Sequence, residues 1–334
     1  GLSFLLAAPI YHLVDKPLRP VRDKNALYRF GIAAALLAVI LAGVTFTIRL
    51  DKGWPWRIEE RFRVLLTDPA AFHRTQYGGA GFASRELQTL GAPNTKPSFI
   101  IFGDSFAAQY ATGLDKLLKD NNRSALALFH HSCVLTPDVA PRQRAAIDEE
   151  CNGKWAQVVK LMEGNNLPIV VAHSWHTYKD MLADKARRPL QFASTADYYR
   201  FMFGQIEKIR RIAGENRRMI LIGLSPGIGN QQGVIRCFSV PTYIPNKCGE
   251  HVSMPATEMR EGVEFNQDAV IYASQHPNVT FLNARDVVCN KERCIAIENG
   301  KMYYSDYIHF SVDGSHLFVN HFKDVFLSLS DQSG

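Results

Sequence analysis

From residue 97 onwards, short apolar segments of strand length alternate with longer segments that have a helical period. Candidate strands are 99–102, 125–130, 168–172, 219–224 and 279–283, and candidate helices are 106–119, 154–163, 195–213, 256–275 and 314–328. Such alternation is typical of a parallel sheet that is covered by helices on both faces. The sequence therefore predicts an α/β fold, a three-layer α/β/α sandwich with a five-stranded parallel sheet.

The first candidate strand ends in Gly103-Asp104-Ser105, and a helical segment follows at once. Ligands of such folds bind at the carboxyl ends of the strands, so the Ser105 hydroxyl is expected at the binding edge. Backbone N–H groups at a helix start can stabilise an oxyanion. A serine in that position is a nucleophile when a base is within reach. We therefore predict that Ser105 is a nucleophile whose own N–H helps to bind the oxyanion.

Residues 30–48 form an apolar run without a single charge. At a rise of 1.5 Å per residue, a helix of this length spans about 28 Å, which is close to the hydrocarbon thickness of a bilayer. Trp54 and Trp56 follow, as in an interfacial aromatic belt. The sequence thus predicts one transmembrane helix. Both flanks are basic, so the charges leave the orientation open, and the net charge of +6 is interpreted as membrane-surface anchoring without nucleic-acid binding.

The cysteines indicate which side of the membrane the C-terminal part occupies. All six follow the apolar run, their number is even, and none forms a C-x-x-C pair. Sequence neighbours suggest the pairs Cys133–Cys151, Cys237–Cys248 and Cys289–Cys294, although six cysteines allow fifteen pairings. Disulfides form in oxidising compartments, which places the domain in the periplasm or outside the cell. Reduced structural cysteines are the alternative.

Four segments follow from these patterns. Residues 1–29 are interpreted as the end of a truncated membrane bundle and a cytoplasmic basic loop, and residues 30–48 as the transmembrane helix. Residues 49–96 are expected to form a periplasmic connector that packs on the domain, because their large apolar side chains need burial. Residues 97–330 are then the catalytic domain.

A base for Ser105 is offered near the C-terminus by two overlapping pairs, Asp306-x-x-His309 and Asp313-x-x-His316. A catalytic histidine must reach the serine through one ring nitrogen while a carboxylate orients the other. A spacing of three residues lets both side chains share one face of a turn. Such pairs are common by chance, so they indicate a catalytic histidine only in combination with the Gly-Asp-Ser turn far upstream.

Together these blocks resemble the SGNH hydrolases, whose first block is Gly-Asp-Ser and whose last is Asp-x-x-His. The segment His309-Phe-Ser-Val-Asp-Gly314 is similar to the form found where this flavodoxin-like domain is fused to acyltransferase-3 membrane proteins. Tyr11-His-Leu-Val-Asp-Lys-Pro-Leu-Arg19 looks like the end of the acyltransferase-3 bundle. The resemblance selects Asp306 as the residue that orients His309, and His309 as the general base.

The chain departs from this family at the third block, which usually carries Gly-Asn-Asp. The matching place reads Val171-Ala-His-Ser-Trp-His176, so the usual asparagine donor to the oxyanion is missing or replaced. Trp175, His173 and Asn230 are candidate substrate-binding residues, with sheet-edge packing as the alternative for Trp175. The histidines of these loops have no carboxylate at ligand spacing, so no metal is predicted.

The resemblance implies an O-acetyltransferase of the bacterial inner membrane with its catalytic domain in the periplasm. The upstream acyltransferase-3 bundle would deliver acetyl groups from cytoplasmic acetyl-CoA, and this domain would bind no cofactor. The acceptor would be a surface glycan, with the O-antigen of lipopolysaccharide before peptidoglycan. A carbohydrate acetylesterase is the rival enzyme, because water can replace the sugar hydroxyl. A non-catalytic glycan-binding domain is the rival outside enzymes.

Overall fold

A computed structural model describes residues 11–12, 16, 24–51, 53–57, 60–143, 146–147, 149–228, 251–260 and 262–329. The chain divides into two compact units, residues 1–57 and 58–334. The first unit contains helix α1 (Lys24–Leu50) and a short 3-10 turn at Pro55–Arg57. Its stretch Tyr28–Leu50 has a mean hydropathy of 2.4 and is the one helix of the described residues that is long and apolar enough to cross a membrane.

The second unit begins with two short helices, α2 (Glu60–Thr67) and α3 (Pro69–Gln76). Helix α3 starts where it does because Pro69 stands at its first turn and the Asp68 side chain accepts a bond from Ala71 N (2.9 Å). Phe62 and Phe72 are buried in the hydrophobic core. These residues of the 49–96 segment therefore pack as part of the second unit.

The remaining elements alternate along the chain. The strands are β1 (Leu87–Gly91), β2 (Pro97–Gly103), β3 (Ser124–Phe129), β4 (Val139–Gln143), β5 (Ala146–Ile147), β6 (Ile169–Ala172), β7 (Leu182–Asp184), β8 (Met219–Ile222), β9 (His251–Pro255), β10 (Val279–Leu282), β11 (Arg293–Glu298) and β12 (Lys301–Met302). The helices are α4 (Ser105–Ala108), α5 (Ala111–Asp120), α6 (Glu149–Glu163), α7 (Thr195–Ala213), α8 (Val263–Gln275), α9 (Arg285–Val288), α10 (Val312–His321) and α11 (Lys323–Ser328).

The central sheet has six strands in the order β1-β3-β2-β6-β8-β10. The five predicted strands are present and mutually parallel. The prediction of an all-parallel five-stranded sheet is nevertheless wrong, because β1 adds to the edge of β3 in the antiparallel direction. Gly91 lets the chain turn from β1 towards β2: its φ is +87°, and a Cβ there would lie 2.3 Å from Arg123 O.

Two cores cover the two faces of the sheet. Successive residues of β2 point to opposite sides, so Phe99 and Ile101 enter one core while Ile100 and Phe102 enter the other. The first core contains apolar residues of α5 and α10, and the second those of α6, α7 and α8. This is the layered α/β/α arrangement expected for such a chain.

Two three-stranded sheets, β12-β11-β9 and β5-β4-β7, lie outside the central sheet. The predicted helix 256–275 begins only at Val263, because Gly262 before it has φ +73°, outside the right-handed helical region. Cys133–Cys151 and Cys289–Cys294 form disulfides. The third suggested pair, Cys237–Cys248, lies outside the described residues.

Candidate active site

The turn after β2 is shaped by Gly103 and Asp104. Gly103 has φ +153°, and a Cβ there would lie 1.8 Å from Ala172 O on the neighbouring strand. Asp104 caps α4 because its Oδ1 accepts the Phe106 N–H at 2.8 Å. Ser105 is therefore the first residue of α4, at the carboxyl end of β2.

The second oxygen of Asp104 ties this turn to the loop after β6. Oδ2 accepts the Ser174 N–H at 2.8 Å and the Tyr178 hydroxyl at 2.7 Å. Burial raises the pKa of Asp104 to about 6, although these bonds and the one from Phe106 favour its ionised form. Since the carboxylate is buried and accepts bonds from Phe106, Ser174 and Tyr178, Asp104 holds the turn in place.

Ser105, His309 and Asp306 form one hydrogen-bonded series. The Ser105 Oγ lies 2.9 Å from His309 Nε2, and His309 Nδ1 lies 2.7 Å from Asp306 Oδ2. This is the geometry in which an imidazole accepts a proton from a serine while a carboxylate fixes its tautomer. The structure thus brings together the three residues that the sequence patterns selected.

Asp306 also shapes the turn that carries His309. Its Oδ1 accepts the backbone N–H groups of Ile308 (2.9 Å) and His309 (2.7 Å). Burial alone would raise the pKa of Asp306, but the hydrogen bonds from His309 and these N–H groups outweigh it, so the pKa lies below its usual value. The Ser225 hydroxyl, donating to Ile308 O at 3.0 Å, fixes the same turn from the loop after β8.

Two residues of the 49–96 segment contact the site, and no sequence motif marks them. His73 Nδ1 lies 3.0 Å from Ser305 Oγ and 3.4 Å from Asp306 Oδ2. The Tyr77 hydroxyl donates to the Ser105 carbonyl, and its ring stands edge-on to His309. Burial lowers the pKa of His73 despite the attraction of Asp306. Helix α3 and the residue after it thus complete one wall around the histidine.

A pocket of about 350 Å³ opens at Ser105. Its lining residues are Asp104, Ser105, Phe106, Ser132, Pro141, Arg142, Ser174, Thr177, Tyr178, Met181, Ile308 and His309. They come from the loops after β2, β3 and β6, from strand β4, and from the turn of His309. The pocket therefore lies at the carboxyl ends of the strands, where the fold places its ligands.

The predicted sugar contacts of Trp175 and His173 are contradicted by their burial. Trp175 is stacked on Phe265 and donates its Nε1–H to Ile222 O at 3.1 Å, so its ring faces the core. His173 is equally buried beneath it. Asn230 lies outside the described residues. The loop after β6 instead presents Ser174 and Thr177 to the pocket, where the family resemblance would have placed an asparagine.

The competing pair Asp313 and His316 lies on α10 and does not line the pocket. Burial lowers the pKa of His316. Among the described residues, two groups have ligand atoms close enough for a metal. One is His73 with Asp306 and His309, the last two of which belong to the candidate catalytic series, and the other pairs His130 with the sulfurs of the Cys133–Cys151 disulfide. Disulfide sulfurs are not thiolates, which are the form that binds metals.

The five parallel strands follow the order 2-1-3-4-5 of flavodoxin-like folds. Gly-Asp-Ser follows the first of these strands, and Asp-x-x-His precedes helix α10. This strand order and these two motifs define a domain of the SGNH hydrolase and acetyltransferase type. The chain belongs to the family described as "SGNH domain (fused to AT3 domains)", whose sequence model matches residues 72–324.

The chain is similar to two solved structures, of which the first has the same fold. The periplasmic domain of a lipopolysaccharide acetyltransferase from Salmonella serovar Paratyphi A aligns with a TM-score of 0.57 at 15% identity, over 78% of this chain and 97% of that one. The C-terminal catalytic domain of peptidoglycan O-acetyltransferase A from Streptococcus pneumoniae aligns with a TM-score of 0.35 at 12% identity, over 71% and 97%. No curated protein sequence matches the chain.

Proposed function

We propose that this domain is an O-acetyltransferase that places an acetyl group on a hydroxyl of a bacterial surface glycan, with lipopolysaccharide O-antigen as the first candidate acceptor. The observation that carries the proposal is the series Ser105–His309–Asp306 at the edge of a pocket of about 350 Å³. Membership of a family fused to membrane acyltransferases supports transfer over simple hydrolysis.

The first half of the reaction acetylates the enzyme. His309 Nε2 accepts the Ser105 proton as Oγ attacks the acyl carbonyl, and Asp306 stabilises the imidazolium that forms. The negative charge of the tetrahedral intermediate falls on the carbonyl oxygen, near the Ser105 N–H at the start of α4. Collapse of the intermediate expels the donor group, which takes the proton from His309, and leaves acetyl-Ser105.

The second half reverses these roles with a sugar hydroxyl as nucleophile. His309 removes the hydroxyl proton while the oxygen attacks acetyl-Ser105, and the proton then returns to Ser105 Oγ. The hydroxyls of Ser132, Ser174 and Thr177, which line the pocket, suit the hydrogen bonding of a sugar ring. The acetyl group is transferred intact and no cofactor bound to this domain is required.

The location we propose is the periplasmic side of the inner membrane. The apolar helix Tyr28–Leu50 and the two disulfides support it. Acetyl-CoA is cytoplasmic, so the acetyl group would arrive through an upstream membrane bundle of the same protein. That bundle and the acceptor glycan are the two partners of the proposal.

Complementation of a strain that lacks the full-length parent tests this function. Ser105→Ala and His309→Ala should abolish glycan O-acetylation, measured by NMR of the purified glycan. His316→Ala is the matched control, because it removes the histidine of the competing pair, and it should retain acetylation. Wild-type acetylation in both site variants would refute the assignment. Release of free acetate without any O-acetyl sugar would identify an esterase instead.

A further inference from the structure

Arg142 brings a fixed positive charge into the pocket of Ser105. It lies in β4, lines the same pocket as Ser105 and His309, and its backbone N–H bonds to Met181 O at 2.6 Å. Its Nε is buried and has no hydrogen-bond partner. A buried donor without a partner is costly, so such a group is poised to bind a ligand that supplies an acceptor.

Nothing acidic in the described residues neutralises this charge. Arg142 forms no ion pair there, whereas the nearby Arg85 and Arg188 pair with Glu150 and Asp184. The one acidic residue that lines the pocket is Asp104, and its buried carboxylate already accepts three bonds. The charge that the pocket offers to a ligand is therefore positive.

The backbone of Arg142 is held by strand pairing on both sides. Strand β4 pairs with β7 through Pro141↔Leu182 and with β5 through Arg142↔Ile147. The planar set of N–H groups of a guanidinium matches a carboxylate or phosphate with two parallel bonds, so less side-chain freedom is lost for each bond formed. Apart from Asp104 and His309, the other polar groups that line the pocket are hydroxyls, which suit the neutral part of a sugar.

Building on the proposed function, we propose that Arg142 is a specificity residue that binds an anionic group, carboxylate or phosphate, on the acceptor glycan. The acceptor is then an acidic sugar, or a neutral sugar next to an acidic one, whose charged group docks on Arg142 while a hydroxyl faces acetyl-Ser105. Neutral glycans offer Arg142 only uncharged oxygen acceptors and bind more weakly.

The test measures acetyl transfer by the full chain from p-nitrophenyl acetate to three acceptors: methyl glucuronide, its neutral methyl ester, and methyl glucoside 6-phosphate. For the wild type, the KM of the preferred anionic acceptor should be about tenfold to a hundredfold below that of the ester. This is the difference in affinity expected from one charge-assisted hydrogen bond. Arg142→Gln should bring the KM ratio close to one. The carboxylate and phosphate arms identify which anion is recognised.

Arg188→Gln is the matched control, because it removes an exposed guanidinium beside the same small sheet but not from the pocket, and it should keep the wild-type ratio. An unchanged ratio in Arg142→Gln, or a wild-type ratio near one for both anions, overturns the proposal.

A binding measurement separates this proposal from that of the transfer reaction. In Ser105→Ala, which cannot be acetylated, the affinities for the glucuronide, the phosphate and the ester are measured by titration calorimetry, with and without Arg142→Gln. A preference for one anion that Arg142→Gln removes supports the role of Arg142 even if no transfer occurs. Equal affinities throughout refute it even if transfer is efficient.

Discussion

Replacement of Asp306 by Asn tests the catalytic geometry most directly. The two backbone N–H groups of Ile308 and His309, 2.9 and 2.7 Å from Oδ1, require an acceptor at that position. They therefore hold the amide oxygen of the new side chain in the place of Oδ1. The amide NH₂ then takes the place of Oδ2, 2.7 Å from His309 Nδ1.

This orientation forces the wrong tautomer on His309. Nδ1 must accept from the amide, so the proton moves to Nε2, which faces the Ser105 Oγ at 2.9 Å. A protonated Nε2 cannot accept the serine proton, and the expected loss in acetylation rate is about 10³- to 10⁴-fold, or about 4–5.5 kcal/mol in the barrier. Because both backbone bonds remain, the free energy of unfolding should fall by only about 1–2 kcal/mol.

The assay is the pre-steady-state burst of p-nitrophenol from p-nitrophenyl acetate, with mass spectrometry of acetyl-Ser105. Asp313→Asn is the matched control, since it makes the same change in the competing Asp-x-x-His pair, and it should show the wild-type burst. A burst rate in Asp306→Asn within tenfold of the wild type would refute the tautomer argument. So would a loss in Asp313→Asn as large as that in Asp306→Asn.

Three further predictions concern the free energy of unfolding of the second unit, which is measured by urea unfolding with fluorescence as the signal. Gly103→Ala should cost about 2–5 kcal/mol, because its Cβ would lie 1.8 Å from Ala172 O; a loss under 1 kcal/mol would contradict this. Burial lowers the pKa of His173 to about 3. On acidification below pH 6.5 the unfolded state therefore takes up a proton that the folded state does not. For this group the free energy of unfolding then falls by about 1.4 kcal/mol per pH unit. His173→Phe should remove that part of the slope between pH 6 and 4, and an unchanged slope would contradict the assignment. Replacing both Cys133 and Cys151 by Ala should cost about 3 kcal/mol, as expected for opening a loop with a separation of 18 residues, and equal stability would contradict it.

The sequence predicted the parallel part of the sheet, and it selected Ser105, His309 and Asp306, which the structure places in one hydrogen-bonded series. Both sets leave local signals in the sequence. Strands such as β2 and β8 are uninterrupted apolar runs, and Ser105 follows one of them directly. His309 was selected by its spacing from Asp306 together with a family resemblance. The spacing alone does not separate His309 from the competing His316; the family resemblance favours His309, and the structure places His316 on α10, outside the pocket lining.

The surroundings of the site could not be predicted in the same way. Arg142 and His73 reach it through pairing and packing between distant segments, and neither belongs to a recognisable pattern. For Trp175 the sequence leaves two interpretations open, because a tryptophan after a strand is equally compatible with sugar stacking and with packing in the core. Only its contact with Phe265 decides between the two.

The antiparallel strand β1 has a consequence for where this domain can be cut. By pairing along the whole of β3 from Leu87↔Leu128 to Gly91↔Ser124, it covers backbone groups that would otherwise form an open sheet edge. A protein shortened to begin at residue 97 would expose that edge, and exposed edges recruit strands from other molecules. It would also lose Tyr77, which bonds to the carbonyl of Ser105. The segment before residue 97 therefore completes the sheet beside β3 as well as shaping the site around Ser105, and a cut at residue 97 would remove both contributions.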